Sequence, residues 1–514
     1  MDKQISLSEL ARHDKPGNLW VAINGDVYDV SKFAQLHPGG AKVLEEVAGK
    51  DATEEFYELH RHEVLSKYQR LKVGKLEGNK NKISTGSKGV PFAEIAAFQG
   101  QESPFYTESH RKFMQGMQEF VNAELAPIAH AADLKGEYPS RDLQRTLGQQ
   151  GVMMSRMGPG PWVAQAGALG ISLPGDIQPQ GLDYFHEAIA HQEIARIGLP
   201  GFVDSLGAGY LISVPAIYHF GTDEMRRSIC PQLLQGQKWS ALAISEPFAG
   251  SDVAAVKATA TKSADGSHFV VNGVKKWITE GAYADYFVTA VRTGGPGAKG
   301  ISLLLIERGD GVSTSQMKTT YSKCAGTALV VLDNVRVPVS NLLGKENDGF
   351  KLIMYNFNHE RWFICQVLLG QMRAALTDAF MWARQRKVFG KPLIEQAVIR
   401  NKLASSIAAL ESIQSYSEVL TYDMSKSKNG PVGDRLAGPI AMFKYQSTRT
   451  AWMIADNTVQ ILGGRGVTHT GMGAKIEGLK NFAKYAAVYG GSEEIMADLA
   501  VKQAMRNFPA TARL

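Results

Sequence analysis

The sequence predicts a multidomain fold in which a small α+β domain is followed by a helical domain, a β-domain and a second helical domain. The chain has 514 residues, which is longer than a domain with a single hydrophobic core usually is. Apolar residues recur every three or four positions in two long stretches, and these flank a run of short strand patterns at about 240–337. We place the domains at 1–78, 104–239, 240–340 and 345–508, with a linker at 79–103 and a tail at 509–514.

The composition excludes several classes of protein. Apolar residues make up 44% of the chain and charged residues 21%, which is typical of a soluble globular protein, and no run of about 18 apolar residues predicts a transmembrane helix. The polar N-terminus, MDKQISLSEL, argues against a signal or transit peptide. A net charge of +6 without a block of Lys or Arg predicts no nucleic-acid binding. The widely spaced Cys230, Cys324 and Cys365 are expected to be free thiols.

Two histidines stand out in the first domain. The segment WVAINGDVYDV predicts a β-hairpin that turns at 24–26. It is followed by LHPGG, in which the Pro and the glycines turn the backbone and hold His37 outward as a metal donor. A helical stretch then leads to His60.

These residues resemble the cytochrome b5 family, closest to the haem modules fused to flavin or molybdenum enzymes. In that subgroup the second axial histidine ends a DxTxxFxxxH segment, which 51–60 matches, and His60 lies 23 residues after His37. His62 is the competing candidate. The resemblance implies a haem b with both axial positions filled, and therefore a carrier of single electrons.

Helices and hairpins are predicted in the rest of the chain. HRKFMQGMQEFVNAEL reads as a helix that ends before Pro127, and DYFHEAIAHQEIARIG as a second amphipathic helix. A hairpin is expected around 265–266, at an Asp-Gly pair. Long helices are expected from about Gly349 to Asn507.

Two segments of the predicted β-domain are candidates for a cofactor site. LAISEPFAGSD, at 242–252, reads as a strand ending in a Glu-Pro turn and a Gly-Ser-Asp corner, which leaves backbone N–H groups free for a ligand. KWITEG, at 276–281, puts Trp277 two residues before Thr279, so both would point to one face of a strand. A flat ring and a hydroxyl on one face suit a flavin, and a buried Trp in an ordinary β-barrel is the alternative.

Both segments resemble the (A/F)(I/M)(T/S)EPxAGSD and WIT(N/S)G motifs of the acyl-CoA dehydrogenase family, and the resemblance covers about 104–508. It implies a helical N-terminal domain, a middle β-barrel and a C-terminal four-helix bundle, with FAD as cofactor and an acyl-CoA as substrate. A carboxylate removes a proton from Cα while a hydride leaves Cβ. This chemistry needs a desolvated base and a stabilised enolate-like oxygen.

The resemblance implies Glu360 as the catalytic base. The family's usual base stands in a YEGT(S/A)EI segment, which aligns with 489–495 and puts Gly490 at the base position. The long-chain and isovaleryl types carry the base on the first helix of the last domain, just before an Arg, and this chain has His-Glu-Arg there. Glu493 and Glu494 are alternative bases, and a salt-bridged helix carboxylate is the structural alternative for Glu360.

Cofactor and substrate contacts are also implied by the resemblance. The Gly490 N–H would hold the thioester oxygen, and Ser251 and Arg361 would contact the substrate. RKVFGKP and QILGGRG would reach the FAD of a neighbouring subunit, which implies a homodimer or homotetramer. The implied FAD contacts are Ser245, Ser251, Trp277, Thr279, Arg386, Phe389, Gln460, Gly464, Ser492 and Glu494.

Two positions depart from the family pattern. The family's Gln after the FG pair falls at Ala397, although Gln396 is adjacent. The Arg-Asp pair before the Tyr of YEGT is replaced by Asn-Phe at 481–482. Both departures weaken the assignments at the FAD edge more than the fold.

The fusion itself leads to one functional expectation, which is that electrons pass from flavin to haem and on to an external acceptor. The alternatives are an acyl-CoA oxidase that uses O₂ directly, a nitroalkane-oxidase-like enzyme acting on a non-CoA acid, and a flavin-less electron-transfer protein. The last three residues, Ala-Arg-Leu, have the form of a peroxisomal address. Peroxisomal localisation is therefore expected, with the cytoplasm or the mitochondrion as alternatives.

Overall fold

The computed structural model describes residues 3–78, 89–427 and 435–512. The first part of the expected linker, 79–88, and the last two residues of the tripeptide that was expected to be a peroxisomal address lie outside these ranges. Within them, no helix has both the length and the apolarity needed to cross a membrane. All three cysteines are buried and free, as expected.

The N-terminal domain is a five-stranded sheet with short helices. The strand order is β1-β5-β4-β3-β2, with β1 parallel to β5. The predicted hairpin between β3 and β4 is confirmed, and it turns at Asn24 and Gly25, which both have positive φ as a two-residue type I′ turn requires. The elements are β1 Gln4–Ile5, α1 Leu7–Leu10, β2 Asp14–Lys15, β3 Asn18–Ile23, β4 Asp26–Asp29, α2 Ala41–Val47, α3 Thr53–Leu59, α4 Glu63–Lys67 and β5 Lys72–Leu76.

The second half of the predicted linker, 89–103, is packed against the helical body instead of connecting two domains freely. Val90, Ala93 and Ile95 are buried in the main core. The buried Glu94 pairs with Arg196. These apolar side chains and this ion pair hold the segment to the helical body.

The second domain is helical. The helix predicted to end before Pro127 instead continues through a π-helical turn at Val121–Leu125, and Pro127 is tolerated because it stands in the first turn of the next α-helix. The helices are α5 Glu108–Phe120, α6 Ala126–Lys135, α7 Arg141–Gln149, α8 Val152–Met157, α9 Trp162–Ala168, α10 Tyr184–Ala195, α11 Pro200–Ser205, α12 Ala208–Phe220, α13 Asp223–Ser228 and α14 Cys230–Leu234.

The third domain is one eight-stranded sheet. Its pairing order is β11-β12-β8-β7-β9-β10-β13, and β6 pairs with β9. The predicted hairpin between β7 and β8 is confirmed, with Gly266 at positive φ. The strands are β6 Ser240–Ala243, β7 Thr259–Lys262, β8 His268–Ile278, β9 Tyr286–Arg292, β10 Ile301–Glu307, β11 Val312–Gln316, β12 Ala328–Pro338 and β13 Leu342–Leu343.

The last domain consists of long helices that share an apolar core with the second domain. Helix α10 packs directly on α15, and a Cβ on Gly370 would lie 2.2 Å from the Gln192 carbonyl oxygen, so this close crossing requires a glycine. The elements are α15 Gly349–Gln385, β14 Lys387–Val388, β15 Lys391–Pro392, α16 Ala397–Lys426, α17 Ala437–Leu462, α18 Ala474–Ala486 and α19 Glu493–Asn507.

Candidate functional site

The two segments that predicted a cofactor site are joined in the structure. The Lys276 N–H donates to the Ser245 carbonyl at 2.9 Å. Glu246 and Ala249 close a tight turn through two backbone hydrogen bonds, which leaves Phe248 exposed. Beyond the turn, Gly250 has open space where a side chain would be, so a ligand can approach the backbone of the corner.

A buried ion pair holds this turn to the sheet. The Glu246 carboxylate accepts from Lys275 Nζ at 2.7 Å and from the N–H groups of Lys257 and Ala258 at 2.6 and 2.9 Å. Burial lowers the pKa of Lys275 to about 8. The Glu of the SEPFAGSD motif is thus a structural anchor, a role that its sequence position alone did not reveal.

Trp277 does not share a strand face with Thr279, which corrects the sequence argument. Trp277 has φ +69°, and β8 ends at Ile278 beside an irregularity in its pairing with β12. The two-residue alternation therefore stops before Thr279, which is half-buried. The indole is 53% exposed, and a large aromatic side chain held at positive φ with its ring uncovered indicates a surface for a ligand.

The segment RKVFGKP, which was predicted to reach the FAD of a neighbouring subunit, forms a tight hairpin between β14 and β15. Its turn residues, Phe389 and Gly390, both have positive φ, and this geometry projects the Phe389 ring outward at 96% exposure. Arg386, at the start of the hairpin, is half-buried. Gln460 and Gly464 are exposed, and Gly464 has open space around its Cα. An aromatic ring exposed to this degree is typical of an interaction surface.

The predicted contacts at the start of α19 have local roles. Ser492 is the N-cap of this helix, and its hydroxyl accepts from the Ile495 N–H at 3.5 Å. Glu494 is exposed, and its own N–H and the Ser492 hydroxyl lower the pKa of its carboxyl. Glu493 lies 3.5 Å from the Arg449 guanidinium. Glu494 therefore lies at the surface of the helix start, whereas the mostly buried Glu493 carboxylate faces an arginine.

Glu360 is buried on α15 with the properties of a base. Its Oε2 atom has no hydrogen-bond partner among the described residues. Burial raises the pKa of Glu360 to about 7, and the charges of Arg361, Lys444 and His359 only partly oppose this rise. A carboxylate in this state can exist in both protonation states near neutral pH, which general-base catalysis requires.

The two base positions known from the sequence resemblance converge in space. A Cβ on Gly490 would lie 3.5 Å from Glu360 Oε1, although Glu360 stands on α15 and Gly490 in the loop between α18 and α19. Gly490 has φ +65° and the same Cβ would lie only 2.6 Å from Ile364 Cδ1, so the site favours glycine there. Glu360 thus fills the position that a side chain at 490 would otherwise reach.

Two cations hold the loop that carries Gly490. Arg361 Nε donates to the Gly490 carbonyl at 3.2 Å. Lys444 Nζ donates to the carbonyls of Ala486 and Gly491 at 3.0 and 2.7 Å, and burial lowers the pKa of Lys444 to about 8. Sequence reasoning missed Lys444 because its partners lie more than 40 residues away along the chain.

A buried ionisable pair lies directly behind the base. His359 Nε2 and Glu187 Oε1 are 2.6 Å apart, and Glu187 Oε2 has no hydrogen-bond partner among the described residues. A Cβ on Gly158 would lie 1.9 Å from that oxygen, so a glycine makes room for the carboxylate. Nothing in the local sequence pattern pointed to this pair, which joins α10 to α15.

The departures from the family pattern have physical substitutes. Phe482 is buried and its ring lies 6.4 Å from Tyr485 and 6.2 Å from Tyr489, so aromatic packing stands where an Arg-Asp pair was expected. Asn481 donates to Glu477 one turn earlier. Gln396 is the N-cap residue of α16, immediately before Ala397.

A cavity of about 590 Å³ opens beside the Gly-Ser-Asp corner. Asp252, Lys257, Arg292 and the glycine-rich loop at 294–297 line it. The Arg292 guanidinium is bound to backbone carbonyls of the loop walls, so it holds the cavity open. Lys257 contributes an exposed ammonium to the rim.

In the N-terminal domain, His37 and His60 face one another with their ring centroids 5.9 Å apart. A metal bonds an imidazole nitrogen at about 2 Å, so rings roughly 6 Å apart can bracket one metal atom. Each Nδ1 points to a carbonyl, that of Gly40 at 3.3 Å for His37 and that of Phe56 at 3.2 Å for His60. This leaves both Nε2 atoms for iron, and the arrangement fits a haem.

His62, the competing candidate, has a different partner. Its Nδ1 lies 2.7 Å from the Tyr57 hydroxyl. The two rings are stacked with their centroids 6.1 Å apart.

Comparison with known proteins defines the class. Residues 107–158 and 162–237 match the N-terminal domain of acyl-CoA dehydrogenases, 241–335 the middle domain and 347–505 the C-terminal domain. Residues 6–77 match the cytochrome b5-like haem/steroid-binding domain. The fold and site are those of a flavin-dependent oxidoreductase that carries a haem module.

Individual proteins of this class are similar to the chain over most of its length. The chain is 39% identical to the acyl-CoA dehydrogenase apdG of Emericella nidulans over 82% of this chain and 96% of that protein. It is 36% identical to the acyl-CoA dehydrogenase AFT10-1 of Alternaria alternata, over 81% and 96%. Butyryl-CoA dehydrogenase from Megasphaera elsdenii superposes with a TM-score of 0.69 at 25% identity, over 79% of this chain and all of that one.

The chain therefore belongs to the acyl-CoA dehydrogenase family, with a cytochrome b5-like domain at its N-terminus. The predicted fold class and enzyme class are confirmed. FAD and haem are the cofactors of these two domain families. The uncovered aromatic rings of Trp277 and Phe389, the open backbone at Gly250 and Gly464, and the facing histidines fit them.

Proposed function

We propose that the protein oxidises an acyl-CoA thioester at its α,β bond, with Glu360 as the base, and that the electrons pass to its own haem domain. The observation that carries the proposal is the buried Glu360 carboxylate, which occupies the space beside Gly490. A desolvated carboxylate with a pKa near 7 is suited to remove a weakly acidic α-proton.

Different residues of the chain have different roles in the proposed reaction. Glu360 takes the proton from Cα through its Oε2, which has no hydrogen-bond partner within the described ranges. The Gly490 N–H holds the thioester oxygen, where negative charge develops, in a loop fixed by Arg361 and Lys444. The buried surroundings exclude water, which keeps the base in its raised-pKa state.

When bound, FAD supplies the acceptor for the hydride and haem supplies a one-electron carrier. Ser245, Ser251, Trp277 and Thr279 are the proposed FAD contacts within one subunit. His37 and His60 would hold the haem iron, because their ring centroids lie 5.9 Å apart and each Nδ1 is turned to a backbone carbonyl.

The cavity beside the Gly-Ser-Asp corner supports an anionic thioester substrate. Its volume of about 590 Å³ is large enough for part of a nucleotide-bearing ligand. Lys257 on the rim and the backbone of 250–252 offer a cation and exposed donors. We therefore propose that Ser251, next to the cavity-lining Asp252, contacts both cofactor and substrate.

The oligomer is proposed to be a homodimer or homotetramer. Arg386, Phe389, Gln460 and Gly464 lie at an exposed edge, where the Phe389 ring in particular is uncovered. Sedimentation of the holoprotein tests this. A monomer that retains FAD and full activity would contradict the assignment of these four residues to a neighbouring subunit's cofactor.

Anaerobic rapid mixing with a panel of acyl-CoAs tests the function. We expect the flavin absorbance to fall first and the haem to become reduced afterwards. The His37→Ala variant should show only the flavin phase. Peroxide formation in air without haem reduction would indicate an oxidase, and flavin reduction by a nitroalkane but by no acyl-CoA would indicate a non-CoA substrate. A preparation without any flavin absorbance would contradict the proposal altogether.

A further inference from the structure

The haem domain contacts the dehydrogenase body through the residue that follows its second haem-facing histidine. Helix α3 ends at Leu59 and His60 is its C-cap, so Arg61 emerges at the rim of the histidine pair. The Arg61 guanidinium binds the Asp378 carboxylate of α15, and it also donates to the Gly471 carbonyl at 3.2 Å and the Met472 carbonyl at 2.8 Å. One side chain of the haem domain thus satisfies three acceptors of the body.

This contact is partly desolvated. The side chains of Arg61 and Asp378 are only 21% and 14% exposed. A planar guanidinium that is bound to a carboxylate and two carbonyls forms charge-assisted, geometrically specific hydrogen bonds. Removing it would leave Asp378 and two carbonyls without this donor in a partly buried position, which costs more than losing a surface pair.

A second ion pair across the same boundary is much weaker. Glu54, in the first turn of α3, lies 3.0 Å from Lys387, but their side chains are 77% and 56% exposed. Pairs exposed to this degree contribute little. Helix α3 therefore lies across the body between two contacts, and the Arg61 end is the one that holds it.

The surface beneath α3 is formed by the two segments that are proposed to contact the FAD of a neighbouring subunit. We call this surface the cofactor edge. Lys387 belongs to the β14–β15 hairpin that carries Phe389. Gly471 and Met472 follow the glycine-rich turn Gly463–Val467 that carries Gly464. The rim of the histidine pair is thus seated on the edge of the molecule where the FAD contacts between subunits are proposed.

We propose that Arg61 is the docking residue of the haem domain, and that its bonds to Asp378 and the 471–472 carbonyls hold the His60 side of that domain against the cofactor edge of the dehydrogenase body. The consequence for catalysis rests on the function proposed above. A haem held by His37 and His60 would take the two electrons of each substrate oxidation one at a time and would pass each to an external one-electron acceptor. Docking at Arg61 sets how often the haem is in position to accept them.

The test uses full-length holoprotein and the variants Arg61→Gln and Asp378→Asn. Hydrogen exchange at the amides of 471–473 and of α3, together with small-angle scattering, reports docking without any turnover. Both variants should raise the undocked fraction by about tenfold or more, the effect expected for losing charge-assisted hydrogen bonds. An unchanged haem absorbance spectrum shows that the haem domain of the variant is folded.

Matched controls separate docking from a general loss of charge. Arg70→Gln removes an exposed arginine of the same domain, and Glu54→Gln removes the exposed pair, so neither should open the molecule. The exchanged pair Arg61→Asp with Asp378→Arg should restore part of the docking. If Arg61→Gln exchanges and scatters like the wild type, Arg61 is not the docking residue.

Kinetics then test the catalytic consequence separately. After mixing with acyl-CoA, the flavin phase should keep its rate in Arg61→Gln, while haem reduction should slow by about the same factor as docking weakens. Unchanged haem reduction in a variant that is visibly undocked would overturn the link between docking and electron transfer. If no acyl-CoA reduces the flavin of the wild type, the proposed function fails, and the exchange and scattering data still decide the docking.

Discussion

Glu360 Oε1 lies 3.5 Å from the point where a Cβ would stand on Gly490, so two base positions separated by more than a hundred residues in the sequence meet in one place. The carboxylate is buried, its Oε2 has no hydrogen-bond partner in the part of the chain that the structure describes, and its pKa is raised to about 7. The loop opposite is fixed by Arg361 and Lys444. Several testable consequences depend on this geometry and on that of the two cofactor sites.

The Glu360→Gln variant should lose catalysis while keeping its flavin. The amide is close in shape but cannot accept the α-proton, and a general base typically contributes about 10² to 10⁴-fold to the rate. Anaerobic flavin reduction by acyl-CoA measures the loss, and the flavin spectrum shows that the site remains intact. Glu493→Gln and Glu494→Gln are the controls, and retained activity in Glu360→Gln with a loss in either control would move the base to α19.

A base can be moved to position 490. Glu360→Gly should be inactive, and adding Gly490→Glu should restore part of the activity because both carboxylates reach the same space. The new residue must adopt φ +65° and meets Ile364 Cδ1 at 2.6 Å, so we expect a destabilisation of about 1 to 2 kcal/mol from the backbone alone. Ile364→Ala should relieve the contact. Turnover and thermal unfolding measure the two effects, and a double variant that stays folded but inactive would show that the two positions are not equivalent.

The pH dependence should follow the raised pKa of Glu360. The base must be ionised to act, so kcat/KM should rise with pH through an apparent pKa near 7. The neighbouring Arg361 charge lowers this pKa, so Arg361→Gln should shift the profile to higher pH. A profile with its acid limb near the ordinary range of a Glu would contradict the assignment.

The free energy of unfolding should also depend on the raised pKa of Glu360, but it should fall as pH rises, whereas kcat/KM should increase. The folded-state pKa of about 7 is higher than the unfolded value, so the folded state holds the proton more tightly and the free energy of unfolding falls as pH rises toward 7. Glu360→Gln removes this titration. Denaturant unfolding of wild type and variant between pH 5 and 8, a window of about three units around the shifted pKa, should therefore show a smaller pH dependence for the variant.

Haem binding should depend on His37 and His60 but not on His62. Replacing either of the first two by Ala removes one of two facing imidazoles and should abolish the absorbance of a haem with two histidine ligands. His62→Ala loses only the contact with Tyr57 and should keep that spectrum. Haem titration of the three purified variants measures this, and a normal spectrum in His60→Ala would reassign the ligand.

Trp277 should matter to the flavin and not to the fold. Its ring is exposed, so Trp277→Ala should change the free energy of unfolding of the apoprotein by no more than about 0.5 kcal/mol. Flavin affinity, measured by titration, should fall. Trp362 is buried in the helical core, and the matched change Trp362→Ala should cost about 3 to 5 kcal/mol. Equal effects on stability would mean that Trp277 is an ordinary packing residue.

Much of this architecture was readable from local patterns. The hairpin turns at Asn24-Gly25 and Asp265-Gly266, the order of helical and β-rich regions, and the spacing of His37 and His60 were all predicted. These features depend on neighbours in the sequence, because turn chemistry and hydrophobic periodicity act over a few residues. The face of Trp277 was predicted wrongly because a residue in the left-handed region interrupts the strand. The 89–103 part of the predicted linker is packed because tertiary contacts bury its apolar side chains.

The sequence by itself determined the domain order, the two cofactor families and the identity of Glu360 as the candidate base. Only the tertiary structure decided that Glu360 and Gly490 share one space and that Lys444 holds the loop that carries Gly490. It also decided that Glu187 pairs with His359 and that Arg61 binds Asp378. Each of these contacts joins residues far apart in the chain. Their geometry depends on how helices and domains pack, and spacing along one strand or helix carries no information about that packing.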